Sequence, residues 1–142
     1  MAGVIVNIEA LAELQLMALG HWSNATLHTY SNDYTPTGRE VDTVPFTESA
    51  YSGYANATIS SWGTAFLSGA GVPTLAAGSK EFAFTTGNLT ETVYGQFLTT
   101  ANGTLIAAER YALPIQMTGP GSGFTAQITI EGKLDTETVT VQ

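Results

Sequence analysis

The sequence of 142 residues contains no cysteine and little charge. Without cysteine the chain forms no disulfide, binds no zinc through sulfur and has no thiolate nucleophile. Only 11% of its residues are charged, against about 25% in ordinary soluble domains. The polarity comes instead from hydroxyl groups, and threonine alone occurs 22 times. Because threonine fits a pleated sheet, this composition favours a β-rich protein whose low-charge surface suits contact with neighbouring subunits.

Cationic residues are scarce and are scattered along the chain. There are 4 of them against 12 acids, which gives a net charge of −8. Nucleic acids and anionic membrane surfaces are bound by clustered cations. We therefore expect neither a nucleic-acid partner nor a membrane partner.

The first residues lack the pattern of a targeting or membrane-spanning segment. Met1 to Leu19 contains no basic region, and Glu9 and Glu13 interrupt its apolar run. Signal peptides and spanning helices need an apolar stretch free of such charges. We expect a protein made in the cytoplasm.

The segment Asn7 to Gly20 predicts a helix. Asn7 can cap it, Glu9 falls in the electropositive first turn, and Gly20 can take the left-handed conformation that ends a helix. Most other positions are apolar, so the apolar surface is wider than one stripe facing a core. Two interpretations stay open: loops of the same chain cover the helix, or a neighbouring subunit does.

From His21 onward the periodicity becomes that of strands, with turn signals at short spacing. We predict a mainly β fold, an antiparallel β-sandwich with Greek-key or jelly-roll-like connections and one N-terminal α-helix. Residues 1–22 are expected to form a helical arm and residues 23–142 the β-sandwich domain. The predicted strands are Ala25 to Tyr30, Tyr54 to Trp62, Glu81 to Thr86, Thr92 to Thr99, Thr104 to Ala112, Phe124 to Glu131 and Glu137 to Val141.

Turn residues divide these strands. Asn102 and Gly103 predict a type I′ hairpin, because both can adopt positive φ angles. Pro114 is expected to stop the returning strand or to lie on a sheet edge. The glycine-containing stretch from Ser68 to Pro73 predicts a loop, and Ser31 to Ser52 shows no clear element.

No catalytic constellation is recognisable, so we predict that the chain is not an enzyme and holds no cofactor. The two histidines, His21 and His28, lie seven residues apart without a nucleophile motif. The glycine-rich stretch Gly119 to Gly123 has no lysine and precedes a strand, which argues against phosphate binding.

Loop acids leave one metal hypothesis open. Asn32, Asp33, Glu40 and Asp42 offer the oxygen ligands that calcium prefers, although their spacing matches no EF-hand. The competing interpretation, which we favour, is that they are solvated loop residues, and we predict no metal site.

Tyrosines concentrate in the first half of the chain. Tyr30, Tyr34, Tyr51 and Tyr54 combine an apolar ring with a polar tip, which suits sugar stacking as well as protein cores and interfaces. We favour core or interface positions and keep a carbohydrate-binding platform of these four residues as the alternative.

Two segments are candidates for contacts between subunits. Leu11, Leu14 and Leu19 belong to the apolar surface of the predicted helix. The C-terminal segment alternates polar and apolar residues, with Val139 and Val141 on one face. Such a strand either closes its own sheet or adds to the edge of a neighbour's sheet.

Several short motifs resemble small proteins encoded among the head and tail genes of tailed bacteriophages. The motifs are Tyr30 to Thr37, Phe46 to Ser49, Tyr51 to Tyr54, Val93 to Gly95 and Ala108 to Tyr111. The resemblance implies a virion component, a capsid cement or decoration protein. It carries no catalytic residues.

The resulting functional hypothesis is a phage structural protein that stabilises the assembled head. We expect it to associate with itself, as a trimer, and with the major capsid protein, and to be located in the virion. The alternative is a tail-associated module that binds a receptor or a carbohydrate.

Overall fold

The computed structural model describes residues 2–3, 7–69, 71–131 and 139–140, with side chains described for 12–69 and 71–131. The fold is mainly β with antiparallel sheets and one N-terminal α-helix, which confirms the predicted fold class. The elements are β1 (Ala2–Gly3), α1 (Asn7–Leu19), β2 (Ala25–Tyr30), β3 (Ala57–Ile59), β4 (Phe66–Leu67), β5 (Pro73–Ala76), β6 (Lys80–Ala83), β7 (Glu91–Thr99), β8 (Leu105–Met117), β9 (Gly123–Ala126), β10 (Thr129–Glu131) and β11 (Val139–Thr140).

Helix α1 begins at the predicted residue but ends differently. The Gly20 N–H still donates to the Leu16 carbonyl at 3.0 Å, so Gly20 continues the helical winding. The left-handed conformation falls on Asn24, whose φ is 57°. The prediction for Gly20 is wrong because asparagine, which tolerates this conformation, makes the turn into β2 four residues later.

The central sheet has the strand order β3-β2-β7-β8, and all its pairs are antiparallel. Strand β2 has the bounds predicted from the sequence. Its pairing with β7 places Leu27 opposite Leu98 and His28 opposite Phe97. This pairing joins the first half of the chain to the second.

The inner face of the central sheet packs on the β6–β9 pair. Leu27 and Leu98 are fully buried there against Phe82 and Ala126. Burying a leucine side chain stabilises a fold by about 1.5–3 kcal/mol. Two antiparallel layers therefore share one core, as a sandwich requires, and the choice between Greek-key and jelly-roll connections stays a prediction.

The outer face of the same sheet is covered by the loop 31–52. Phe46 of this loop packs on Tyr30 and Phe97, with ring centroids 5.0 and 4.9 Å away. The loop holds no regular strand and meets β2 through an isolated bridge between Tyr30 and Glu48. The two middle strands of the central sheet, β2 and β7, are thus covered on both faces.

A third sheet, of order β10-β5-β4, receives the helix. Leu14 and Ala18 of α1 pack on Leu75 of β5. The Gln15 side-chain oxygen accepts the Ala65 N–H at 2.9 Å, which fixes the chain leading into β4. The boundary proposed at residue 22 stays a prediction, although α1 packs closely on the segment that follows it.

The hairpin between β7 and β8 forms at the predicted place with a different turn. Gly103 has a φ of 89°, whereas Asn102 does not adopt a positive φ. The Gly103 N–H donates to the Thr100 carbonyl, and the Thr100 N–H donates to the Thr104 carbonyl. This is a type I turn followed by a left-handed glycine, a longer loop than the predicted type I′ turn.

Other predicted strands are shorter or divided. The segment Tyr54 to Trp62 contains β3 and an isolated bridge from Trp62 to Ala77. Phe124 to Glu131 divides into β9 and β10, which belong to different sheets. Strand β5 was not predicted because it begins at Pro73, and proline is tolerated at the first strand residue, where no ladder N–H is needed.

Strand β8 is longer than predicted and carries a large bulge. Gly95 pairs with Arg110 and Val93 pairs with Ile115, so the residues 111–114 of β8 oppose Tyr94 alone. Pro114 lies on β8, an edge strand of the sheet. A sheet edge was one of the two positions predicted for it.

Gly95 has no room for a side chain. A Cβ there would lie 2.6 Å from the Tyr30 Cζ and against the Glu109 carbonyl oxygen. We predict that Gly95→Ala destabilises the protein by about 1–3 kcal/mol through overpacking. Urea unfolding measures the effect, with Gly119→Ala as the control because a Cβ at Gly119 meets nothing within 4 Å. Equal unfolding midpoints for Gly95→Ala and the unchanged protein would contradict the prediction.

Candidate assembly surfaces

The outward face of α1 presents apolar side chains to solvent. Ala12, Leu16 and Leu19 are exposed, the two leucines at 68% and 73%. Their spacing of four and three residues places them on one side of a helix, opposite the buried Leu14 and Ala18. The helix is therefore apolar on both sides, and only one side is covered by the described part of the chain.

The predicted helix contacts divide into three cases. Leu14 is buried in the protein's own core at 8% exposure, so the prediction that it contacts another subunit is wrong. Leu19 is exposed and available for contact. The side chain of Leu11 lies outside the described residues. Leu16 was not predicted as a contact residue. It lies three residues before Leu19 on the same side of the helix, so helical spacing identifies it once the side with Leu14 is assigned to the core.

The edge strand β4 contacts α1 and adds apolar surface beside it. Phe66 and Leu67 are 48% and 47% exposed. They are held near the helix by the hydrogen bond between Ala65 and Gln15. Among the described residues, this short strand therefore extends the uncovered apolar surface of the α1 face.

The predicted C-terminal contacts are described only in part. Strand β11 pairs antiparallel with β1, with Val139 opposite Gly3. The side chain of Val139 and the whole of Val141 lie outside the described residues. Their role in contacts between subunits stays a prediction.

The four tyrosines do not form an exposed platform. Tyr30 is fully buried and Tyr51 is 2% exposed, so neither ring is open to a sugar. Burial raises the pKa of each to about 12. Tyr34 and Tyr54 are partly exposed, but their hydroxyls donate to protein carboxylates. Burial therefore argues against the alternative of a platform of all four rings, because Tyr30 lies beneath Phe46 of the loop 31–52 and Tyr51 is buried with Phe84 and Val93.

His28 belongs to a hydrogen-bond network on the outer face of the central sheet. Its Nδ1 lies 2.6 Å from Glu48 Oε1, and its Nε2 lies 3.0 Å from Thr99 Oγ1. The Tyr54 hydroxyl also donates to Glu48 Oε1 at 2.9 Å. Burial opposes ionisation of Glu48, but the hydrogen bonds from His28 and Tyr54 outweigh it and lower the pKa of this carboxyl.

The order hydroxyl, imidazole, carboxylate resembles that of a nucleophilic triad. Thr99 is only 4% exposed, however, and the His28 ring is stacked on Phe97 with centroids 4.5 Å apart. Burial to this degree is unfavourable for attack by the Thr99 hydroxyl on a substrate carbonyl. The network therefore anchors the loop 31–52 on the sheet, and the absence of enzymatic activity stays a prediction.

The loop acids considered for calcium each have partners within the protein. Asp33 forms an ion pair with Arg110, and Asp42 accepts the Val44 N–H at 3.0 Å. The Asn32 side chain bonds the backbone of Pro45 and Thr47. Within the ranges that the structure describes, no three histidine or acidic side chains cluster as metal ligands.

Glu40 is the most strongly bonded of these acids. Its Oε1 accepts the Thr37 N–H and the Tyr34 hydroxyl, both at 2.6 Å, and its Oε2 accepts the Gly38 N–H at 2.9 Å. These bonds, led by the one from the Thr37 backbone, lower the pKa of Glu40 from 4.5 to about 2. The carboxylate therefore holds the turn 37–40 closed at neutral pH.

Comparison of the chain with protein-family models, with curated proteins and with solved structures finds no match. Among the described residues, no helix has the length and apolar character to cross a membrane. Function is therefore argued from the surfaces themselves.

The low pKa of Glu40 makes the stability of the turn 37–40 depend on pH. A carboxyl whose pKa is lower in the folded state stabilises that state above its unfolded pKa and loses the effect as the pH falls. We predict that stability declines from about pH 4.5 toward pH 2 through this group, and that Glu40→Gln removes this part of the decline. Urea titrations at several pH values measure it, with Glu81→Gln as the control. The same decline in Glu40→Gln as in the unchanged protein would contradict the prediction.

Proposed function

We propose that the protein is a structural component of a tailed-phage virion, a cement or decoration protein that binds the assembled capsid. The observation that carries the proposal is the exposed apolar face of α1, formed by Ala12, Leu16 and Leu19. The opposite face of the helix packs on Leu75. A helix held in this way presents its leucines without the freedom to turn them inward.

The energetic effect of this face depends on what covers it. Fully burying a leucine that was exposed to water stabilises the buried state by about 1.5–3 kcal/mol. If only an assembled shell offers the matching surface, the protein stabilises the assembled state by binding it and not the free subunits. That is the mechanism of a cement protein.

The composition of the chain supports a role in contacts between proteins. Charged residues make up 11% of the chain, and depletion of charge is the compositional signal of interface cores. Threonine hydroxyls supply hydrogen bonds with a smaller desolvation cost than ionised groups. We propose that the protein associates with itself, as a trimer, and with the major capsid protein.

The alternative of a carbohydrate-binding tail module has less support. Its platform depended on four tyrosine rings, and Tyr30 and Tyr51 are buried. The apolar helix face has the character of a protein contact and lacks the polar groups that orient a sugar. We therefore favour the capsid over the tail.

The helix face gives a direct test. We predict that Leu16→Asn with Leu19→Asn lowers binding to assembled capsid shells by at least about tenfold, because roughly 1.4 kcal/mol of lost burial corresponds to tenfold in affinity. Co-sedimentation with shells of the major capsid protein measures binding, and light scattering measures self-association.

The matched control is Val41→Asn with Val44→Asn, since these valines are 91% and 84% exposed but lie on the loop 31–52. Both double variants should stay folded, and the helix variant should show only a small decrease in its urea midpoint, since asparagine lowers helix propensity by about 0.5 kcal/mol per residue relative to leucine. Shell binding that survives the helix change, or falls equally in the control, would contradict the role of α1. Cryo-electron microscopy of purified particles tests the location, and finding the protein only at the tail would overturn the capsid proposal.

A further inference from the structure

Strand β8 is an edge strand of the central sheet, and it pairs with β7 on one side. On its other side, no residue within the described ranges pairs with the backbone of Leu105–Arg110. An unpaired edge of this kind offers N–H and C=O groups to any extended chain that approaches. Six residues of strand give an edge of about 20 Å.

A depression flanks this edge on each face of the sheet, and we call the two depressions together the slot. On the outer side, Leu105 and Ala108 face a depression of about 300 Å³, which is closed by residues 36–38 and Glu40. On the inner side, Ala107 and Glu109 face a depression of about 400 Å³, which is closed by residues 127–129 and Glu131. The two depressions meet at Ala107 and Ala108, whose small side chains leave the edge accessible.

Both walls of the slot are fixed by internal hydrogen bonds. The outer wall is the turn that Glu40 holds through Thr37 and Gly38. On the inner side, the Gln127 carbonyl accepts from the Gln96 side chain at 3.2 Å, and the Gln127 side chain donates to the Ala77 carbonyl at 3.0 Å. A slot with fixed walls loses little conformational freedom when it is filled, which favours binding.

The charges that the described residues place along the slot have one sign. Glu40 stands on the outer wall, and Glu109 and Glu131 stand on the inner side. Among the residues that the structure describes, no lysine or arginine lines either depression. The nearest cation along the strand, Arg110, is paired with Asp33 and lies over the Tyr94 ring. The unbalanced negative charge favours a basic occupant and disfavours a second copy of a chain whose net charge is −8.

We propose that this slot binds an extended, lysine- or arginine-containing segment of a partner polypeptide, which adds to β8 as a further antiparallel or parallel strand. Main-chain hydrogen bonds to Leu105–Arg110 supply the affinity. Alternate side chains of the segment point to the two walls, so the basic residues facing Glu109 and Glu131 are spaced two apart. The proposal concerns a surface separate from the helix face and does not rest on the cement function.

The test uses the full chain and a labelled heptapeptide in which lysine and valine alternate, Lys-Val-Lys-Val-Lys-Val-Lys. Fluorescence anisotropy should show saturable binding that weakens as salt is added. Two further peptides separate the causes: one carries glutamate in place of lysine, and the other keeps its lysines but is N-methylated at every residue. Both should fail to bind, the first through charge and the second because it lacks backbone N–H groups.

Variants of the protein locate the site. Glu109→Gln with Glu131→Gln should weaken binding roughly fivefold, because each change removes one exposed ion pair with a lysine of the peptide. Glu13→Gln with Glu81→Gln removes the same net charge from exposed positions outside the slot and should leave binding unchanged.

Four outcomes would overturn the proposal. The first is that the full chain shows no saturable binding of the lysine peptide. In the second, the N-methylated peptide binds equally well, which indicates adhesion by charge alone. The third is that both double variants weaken binding of the lysine peptide equally. The fourth is that the double variant Glu109→Gln with Glu131→Gln changes the self-association of the protein. That result would assign the slot to a second copy of the chain.

Discussion

The antiparallel pairing of β2 with β7 is the interaction on which the rest of the structure depends. It joins segments separated by some seventy residues of sequence, and it sets which side chains face each layer. Leu27 and Leu98 point to the sandwich core, while His28 and Phe97 point to the loop on the other side. The close contact of Gly95 with the Tyr30 ring fixes the register, because any side chain at Gly95 would displace the ring.

Burial of the middle strands β2 and β7 on both faces explains how the aromatic residues are used. A sheet with one wet face would leave the first-half tyrosines free for ligands. Here the loop 31–52 forms the second cover, with Phe46 between Tyr30 and Phe97, and the network of His28 and Glu48 ties the loop down. An irregular loop can therefore serve as a layer of the fold, because its backbone and carboxylates find partners locally.

The features predictable from the sequence are those governed by local periodicity. The start of α1, the bounds of β2 and the presence of β7 follow from apolar spacing and turn residues. The conformation of the turn at Gly103 did not follow, because the asparagine before it keeps a negative φ and the loop is longer. Strand β5 was hidden within a stretch rich in glycine, and only its pairing with two neighbours makes it a strand.

The candidate surfaces were harder to predict, since each depends on which side of an element is covered. Periodicity shows that α1 is apolar nearly all round, but only the position of Leu75 decides that Leu14 is core and Leu16 is surface. Similarly, the sequence of β8 does not reveal that it is an edge strand, or that Glu40 and Glu131 stand on either side of it.

The α1 face and the β8 edge, which the described residues leave uncovered, differ in chemistry. The α1 face offers apolar area without direction, so its contacts depend on shape and tolerate some variation of angle. The β8 edge offers backbone groups at fixed spacing between acidic walls. A partner that pairs with it must therefore be extended and in register with those groups. Under the two proposals together, the helix makes a broad apolar contact, while a single added strand, placed by hydrogen bonds and charge, sets the orientation of the protein on its partner.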